Sequence, residues 1–95
     1  MPETTLMVYD RISTEARNLF KNKNKDYGDS FREDGVLGVL IRSKDKINRA
    51  INLCRKEGEK HCVLDESLRD TLIDMANYAL MGIICLEEIE RMKEP

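Results

Sequence analysis

The chain has 95 residues, of which 36% are charged and 5% aromatic, and its net charge is −2. This length predicts one domain over residues 1–95. The composition is typical of a charged helical protein with an aliphatic core, not of a sheet protein. The slightly negative charge excludes non-specific binding of duplex DNA through a basic surface.

Three features predict a cytoplasmic location. The longest apolar run, Tyr78–Leu86, is far shorter than the ~20 residues that a membrane span requires. The N-terminus has no apolar h-region, so we expect no signal peptide. The cysteines, Cys54, Cys62 and Cys85, are odd in number and form no Cys-x-x-Cys pair. This pattern fits a reducing compartment and argues against a disulfide framework or a structural zinc site.

The first helix is predicted to run from Thr4 or Thr5 to about Lys23. Its apolar residues recur at helical spacing and define one face: Val8, Tyr9, Ile12, Ala16, Leu19 and Phe20. The lysines at its C-terminal end complement the helix dipole, or alternatively contact phosphate oxygens. Charge alone does not separate these two roles.

An ordered loop of about ten residues is predicted next, beginning near Lys25 and containing Gly28 and Gly35. Two aromatic residues, Tyr27 and Phe31, lie within five positions of this segment. We expect Phe31 to be a core residue that holds the loop in place. Tyr27 is expected either to do the same or to stack on a base or sugar.

The second helix is predicted to start near Gly35 and to end before Gly58, which is a candidate C-cap. Its predicted apolar face consists of Val36, Val39, Leu40, Ile47, Ala50, Ile51 and Cys54. Arg42, Asp45, Lys46 and Arg49 lie largely on the other side. Most of them are expected to be solvated, with Lys46 at the rim.

The third helix is predicted from about Glu66 to about Lys93, with Asp65 or Ser67 as its cap. At roughly 100° per residue, one arc carries Glu66, Asp70, Asp74 and Asn77, together with Ile73, Met81 and Ile84. The opposite arc is predicted to be the core side and consists of Leu68, Leu72, Met75, Ala76, Ala79, Ile83 and Leu86.

The stacked carboxylates have two interpretations. Acids one turn apart repel one another unless a positive charge lies between them. A divalent metal supplies that charge, since oxygen ligands suit Mg²⁺, Mn²⁺ or Ca²⁺. Alternatively, the acids form a solvated or ion-paired face that Arg69 or a basic residue of another helix neutralises.

Three helices predict an all-α fold, an antiparallel helical bundle. The apolar surface of the third helix is wider than two neighbouring helices can cover. We therefore expect a homodimer or a higher homo-oligomer to complete the bundle.

Three segments together resemble the nucleotide-modification-associated family of small phage and bacterial proteins: Lys23–Phe31, Arg42–Lys46 and Asp65–Tyr78. The resemblance covers about Leu19 to Leu86. The helix pattern of that family is in turn similar to that of the MazG-like all-α nucleoside triphosphate pyrophosphohydrolases. The resemblance implies a role in phage nucleotide metabolism, in the cytoplasm of a bacterial host.

In MazG-like enzymes, carboxylates of two neighbouring helices hold magnesium on the triphosphate, and water cleaves it to monophosphate and pyrophosphate. By this resemblance Glu66, Asp70 and Asp74 would be the ligands of Mg²⁺ or Mn²⁺, with Asp70 and Asp74 catalytic. The nucleotide-binding residues that it implies are Lys23, Lys25, Asp26, Tyr27, Arg42, Asp45, Lys46 and Asn77.

The sequence departs from the MazG-like pattern on the second helix. There those enzymes carry a Glu-x-x-Glu pair, whereas this helix offers only Asp45 in its middle. Three functions therefore stay open. They are a magnesium-dependent hydrolase of a (deoxy)nucleoside triphosphate, a non-catalytic module that captures a nucleotide or nucleotide signal, as in anti-defence proteins, and a protein-partner role.

Overall fold

The computed structural model describes residues 2–57 and 66–93, except for the side chains of Asp26, Tyr27, Lys56, Glu57 and Glu66. Three helices fill this part of the chain: α1 (Thr5–Tyr27), α2 (Phe31–Glu57) and α3 (Glu66–Met92). No strand occurs among the described residues, and the all-α prediction is confirmed. The predicted caps Gly58 and Asp65 lie outside the described residues. None of the described helices is long and apolar enough to cross a membrane.

The chain divides into two compact units, Met1–Ser30 and Phe31–Pro95. In the first unit, α1 begins where the sequence predicts, because the Thr4 hydroxyl accepts the Met7 N–H at 3.2 Å. Its end lies four residues beyond the predicted Lys23. Gly28 then adopts a left-handed conformation (φ 54°) and donates its N–H to the Asn24 carbonyl at 2.7 Å. This is the αL arrangement that closes many helix C-termini.

The predicted ten-residue loop is wrong, and the connection is the three-residue turn Gly28–Ser30. The Asn24 side chain closes this turn. Its Oδ1 accepts the Asp29 N–H at 3.1 Å, and its Nδ2 donates to the Asp29 carboxylate. Asp29 itself has a positive φ of 59°, a conformation that Asp tolerates better than most residues. Lys25 and Asp26 therefore belong to the last turn of α1.

The second helix starts at Phe31, four residues before the predicted Gly35, and Gly35 interrupts it with φ 69° and ψ −167°. The interruption folds Asp34 back over Gly38, so that a Cβ placed on Gly38 would overlap the Asp34 Cβ. The Asp34 carboxylate then reaches Arg42 at 2.7 Å. Phe31 is buried, as predicted, although it belongs to a helical turn and not to a loop.

Helices α2 and α3 form an antiparallel hairpin. Arg32 Nη2 lies 3.1 Å from Glu88 Oε1 at one end, and Lys46 Nζ lies 3.1 Å from Asp74 Oδ2 further along. Between these pairs Val39 faces Gly82, where an added Cβ would lie 3.8 Å from Val39 Cγ1. Across these three contacts the residue numbers rise along α2 and fall along α3. The helices are therefore antiparallel, and the contacts fix how α2 is aligned with α3.

The predicted core side of α3 is wrong. Ile73 and Asn77, which share the arc of the acids, are each only 6% exposed, whereas Leu72 and Ile83 of the predicted core side are 51% and 52% exposed. Leu68 is the buried residue of the predicted set. Both arcs of α3 carry large aliphatic residues, so either one can pack. The arc of the acids also carries the Asp74 carboxylate that pairs with Lys46 of α2.

The predicted faces of α1 and α2 are only partly buried. On α2, Val39 and Ala50 are buried, while Leu40, Ile47 and Ile51 are exposed. On α1, Ala16 is buried, while Tyr9 and Ile12 are exposed. Ser67, a candidate cap, lies within α3, where its carbonyl accepts the buried Thr71 hydroxyl at 2.7 Å.

Candidate functional site

The hairpin of α2 and α3 has two chemically different sides. Buried or half-buried residues mark the line along which the helices meet: Val39, Ser43 and Ala50 on α2, and Thr71, Tyr78 and Cys85 on α3. One residue turns a helix by about 100°. Because the helices are antiparallel, residues that precede a residue of this line by one position in the sequence lie on one side of the hairpin. Residues that follow a residue of this line by one position lie on the other side.

The side formed by the earlier positions is polar and contains most of the sequence-predicted site. The earlier positions include Arg42 and Arg49 on α2 and Asp70, Asn77 and Ile84 on α3. We call this side the polar side and count with it Asp45, Lys46 and Asp74, which project towards it at about 100° per residue. The opposite side, which we call the apolar side, carries Leu40, Lys44, Ile47 and Ile51 on α2 with Leu72, Ala76, Ala79, Ile83 and Leu86 on α3, and Lys44 is its one charged residue in this set.

The central contact of the polar side joins Lys46 and Asp74. Their side chains are 31% and 18% exposed, so the 3.1 Å ion pair is partly shielded from water. The sequence predicts Lys46 at the rim of α2, and its half-buried position agrees with this. The contact is also the ion-paired alternative for the acids of α3, realised at Asp74 by a basic residue of another helix.

The other predicted residues of the hairpin have diverse environments. Arg42 is exposed and bonded to Asp34, within its own helix. Asp45 lines a surface groove of about 430 Å³ on α2 together with Asn48, Arg49, Asn52 and Leu53. Asp70 is exposed one turn before Asp74, at the level of Arg49. Asn77 is buried, so its predicted contact with a ligand requires the surrounding residues to move.

The remaining predicted residues lie outside the hairpin or outside the described side chains. Lys23 and Lys25 are exposed in the last turns of α1, in the N-terminal unit. The side chains of Asp26, Tyr27 and Glu66 are not among those described. The proposed roles of Tyr27 in stacking and of Glu66 in metal binding stay predictions.

The described carboxylates fit a metal ion that arrives with a nucleotide better than a metal held by protein alone. Among the described residues, no group of three or more His, Cys, Asp or Glu could hold a metal ion. Asp70 and Asp74 nevertheless offer two carboxylates one turn apart. Mg²⁺ is commonly bound through one or two carboxylates, with water and substrate phosphates as its other ligands. The donors present therefore suit a magnesium–nucleotide complex.

The structural roles of Asn24 and Asp34 were not predicted from the sequence. Asn24 closes the turn after α1, and Asp34 bonds to Arg42 over Gly38. The signal for the first was present, because Gly28 follows Asn24 by four residues and Gly is typical of a helix C-terminus. The second depends on the positive φ of Gly35, which no local pattern specifies.

The family described as Nucleotide modification associated domain 1 has a model that matches residues 23–86. The matched segment begins in the last turns of α1 and includes all of α2 and most of α3, with the whole polar side. No curated protein and no solved structure matches the chain.

Proposed function

Because the chain belongs to the family described as Nucleotide modification associated domain 1, we propose that its polar side binds a nucleoside triphosphate with magnesium. The domain hydrolyses this nucleotide, or its deoxy form, to the monophosphate and pyrophosphate. The similarity of the helix pattern to the MazG-like pyrophosphohydrolases supports this choice of reaction.

One observation carries the proposal. Lys46 and Asp74 place a cation and a carboxylate 3.1 Å apart on neighbouring helices, within the family-matched segment. A triphosphate requires cationic donors for its oxygens, and its magnesium requires carboxylates. The polar side offers both within one turn of helix, with Asp70 and Arg49 at the next level of the hairpin.

The residues have separate roles in this reaction. Lys46 moves from Asp74 to a phosphate oxygen when the nucleotide binds, which leaves the Asp74 carboxylate available as a ligand. Asp70 and Asp74 would hold magnesium, with Glu66 as the third ligand that the resemblance implies. When bound, magnesium would neutralise charge on the phosphates and polarise the phosphorus that is attacked.

The hydrolytic step consumes one water molecule. The water oxygen forms a bond to the α-phosphorus, the bond from that phosphorus to the bridging oxygen breaks, and pyrophosphate leaves. The protons of the water pass to Asp70 or to solvent. Arg42 and Arg49 stabilise the negative charge of the leaving group from α2.

The decisive experiment is incubation of the protein with a panel of ribo- and deoxynucleoside triphosphates, with magnesium or with EDTA, followed by chromatography of the products. We expect monophosphate and pyrophosphate only with magnesium, and their loss in Asp70→Asn and Asp74→Asn. Asp10→Asn is the matched control, because Asp10 is an exposed residue of α1 that precedes the family-matched segment. Full turnover by a folded Asp70→Asn/Asp74→Asn variant would disprove the proposal.

A second candidate function is capture of a nucleotide or nucleotide signal without cleavage. Two observations favour it. Lys46 already neutralises Asp74, and α2 offers only Asp45 as a carboxylate in its middle. In this function the phosphate contact of Lys46 matters more than the acids.

Capture and hydrolysis give different results in a binding assay. For capture we expect the melting temperature to rise with a nucleotide in the presence of EDTA, and the nucleotide to be recovered intact. Lys46→Gln should reduce that rise, whereas Asp70→Asn should preserve it. Binding that is lost entirely when the metal is removed would contradict capture. A protein-partner role remains if no nucleotide changes the melting temperature with or without magnesium.

A further inference from the structure

The apolar side of the hairpin is a two-helix surface of exposed aliphatic side chains. On α2 this side carries Leu40, Ile47 and Ile51, which are 59%, 43% and 42% exposed. The exposed Lys44 lies among them. On α3 the corresponding residues are Leu72, Ala76, Ala79, Ile83 and Leu86, all exposed. An exposed apolar surface of this extent marks an interaction site.

The spacing on α3 indicates a helical partner. Residues 72, 76, 79, 83 and 86 alternate steps of four and three, which is the a/d spacing of helices that pack side by side. The small Ala76 and Ala79 lie between the large Leu72 and Ile83. A depression flanked by two ridges accepts the ridges of a second helix of the same sequence, and this makes the surface complementary to itself.

We propose that a second copy of this chain covers the apolar side, so that two α2–α3 hairpins form a four-helix bundle. This proposal does not depend on the proposed function, because the interface uses no residue of the polar side. It also gives the expected homo-oligomer a definite surface.

The size of the surface fits a dimer. The stretch from Leu72 to Leu86 is about 20 Å long at about 1.5 Å per residue. Two helices packed about 10 Å apart make it about 20 Å wide. The projected area is therefore roughly 400 Å² before the relief of the side chains is counted, which is of the same order as the ~800 Å² of accessible surface that each partner buries in a standard interface.

The charges at the rim favour an antiparallel arrangement of the two α3 helices. Arg69 is exposed near the N-terminal end of the surface. Glu87 and Glu90 are exposed near its C-terminal end, followed by the exposed Arg91 and Lys93. An antiparallel second copy brings Arg69 of one chain towards Glu87 and Glu90 of the other. A parallel copy would set acid against acid, and such like-charge contacts oppose association.

The test is the solution mass of the full chain, measured by light scattering during gel filtration over a wide range of concentrations. We expect twice the 11.0 kDa of one chain for the unaltered protein, and 11.0 kDa for Ile47→Glu and Ile83→Glu. Ile41→Glu is the matched control and should stay dimeric. It is also an isoleucine of α2 and is 55% exposed, compared with 43% for Ile47. Its side chain lies about 100° beyond that of Leu40 around the helix, and therefore outside the apolar side.

Circular dichroism must show each variant to be folded. If Ile47→Glu unfolds, Ala76→Glu replaces it, since residue 76 is exposed. An unaltered chain that stays at 11.0 kDa at every concentration would overturn the proposal. Equal dissociation by Ile41→Glu, or an assembly that neither apolar-side variant reduces, would overturn it as well.

Discussion

The two glycines of the hairpin, Gly38 and Gly82, should respond in opposite ways to the same substitution. Alanine stabilises a helix interior by about 1 kcal/mol relative to glycine, and both residues lie within helices. At Gly82 the added methyl group would lie 3.8 Å from Val39 Cγ1, an ordinary van der Waals contact. We therefore expect Gly82→Ala to raise the free energy of unfolding by about 1 kcal/mol.

At Gly38 the same methyl group overlaps the Asp34 Cβ and lies 3.4 Å from the Asp34 Cγ. The first turn of α2 must move to relieve this overlap, and that turn carries the buried Phe31. Forcing extra volume into a packed position costs about 1–3 kcal/mol. Loss of the half-exposed Asp34–Arg42 ion pair adds about 0.2–1 kcal/mol. After the gain in helix propensity, Gly38→Ala should lower the stability by about 1 kcal/mol.

Thermal and urea unfolding followed by circular dichroism would measure this difference of about 2 kcal/mol between the two variants, which corresponds to roughly 10 °C in melting temperature for a chain of this size. A second pair of variants isolates the cause. In an Asp34→Gly background, which lacks the clashing Cβ, Gly38→Ala should become stabilising. In an Asp34→Ala background, which keeps that Cβ, it should stay destabilising. If Gly38→Ala stabilises the unaltered protein as much as Gly82→Ala does, the position of Asp34 over Gly38 is wrong.

Three further predictions concern single contacts. A double-mutant cycle of Lys46→Met and Asp74→Asn, measured by urea unfolding, should give a coupling free energy of about 1 kcal/mol, between the values of exposed and buried ion pairs. A coupling free energy near zero would mean that the pair is absent in solution. Asn24→Ala removes both bonds to the turn after α1 and should lower stability by about 1 kcal/mol, whereas Asn22→Ala, an exposed neighbour, should change it little. Gly28→Ala places a Cβ in the left-handed region and should cost about 1–2 kcal/mol, so an equal melting temperature would contradict the positive φ.

The sequence predicts the helices better than it predicts the way they pack. The start of α1 at Thr5 and the extent of α3 follow from capping residues and from apolar periodicity, and both are confirmed. The end of α1 is misplaced because Asn24 bonds to Asp29 across the turn, a contact between residues that a periodicity analysis treats separately. Local patterns define elements, whereas such contacts decide where they end.

The covered side of α3 could not be predicted from α3 alone. Periodicity separates an arc with Asp70 and Asp74 from an arc with Leu72 and Ile83, and hydrophobicity favours burial of the second. The structure buries Ile73 and Asn77 of the first, and Lys46 of α2 meets Asp74 on the same arc. That contact depends on how the two helices align, which neither helix specifies by itself. The position of Lys46 at the rim of α2 was predictable, but its partner was not.

The two ion pairs between α2 and α3 also restrict how the hairpin can be assembled. Arg32 and Lys46 are two heptads apart on α2, and their partners Glu88 and Asp74 are two heptads apart on α3. Sliding one helix by a single heptad would set Lys46 against Met81 or Ser67, neither of which carries a charge, and would separate both pairs at once.

Aliphatic contacts alone would tolerate such a shifted pairing far better, since one leucine or isoleucine replaces another at little cost. The charged residues therefore select one alignment among several that hydrophobic packing permits. Lys46 contributes to this selection and is also the central cation of the polar side. A ligand that draws Lys46 away from Asp74 leaves the Arg32–Glu88 pair to maintain the alignment. In a variant that lacks Arg32, the alignment of α2 with α3 should therefore depend on whether a ligand is bound at the polar side.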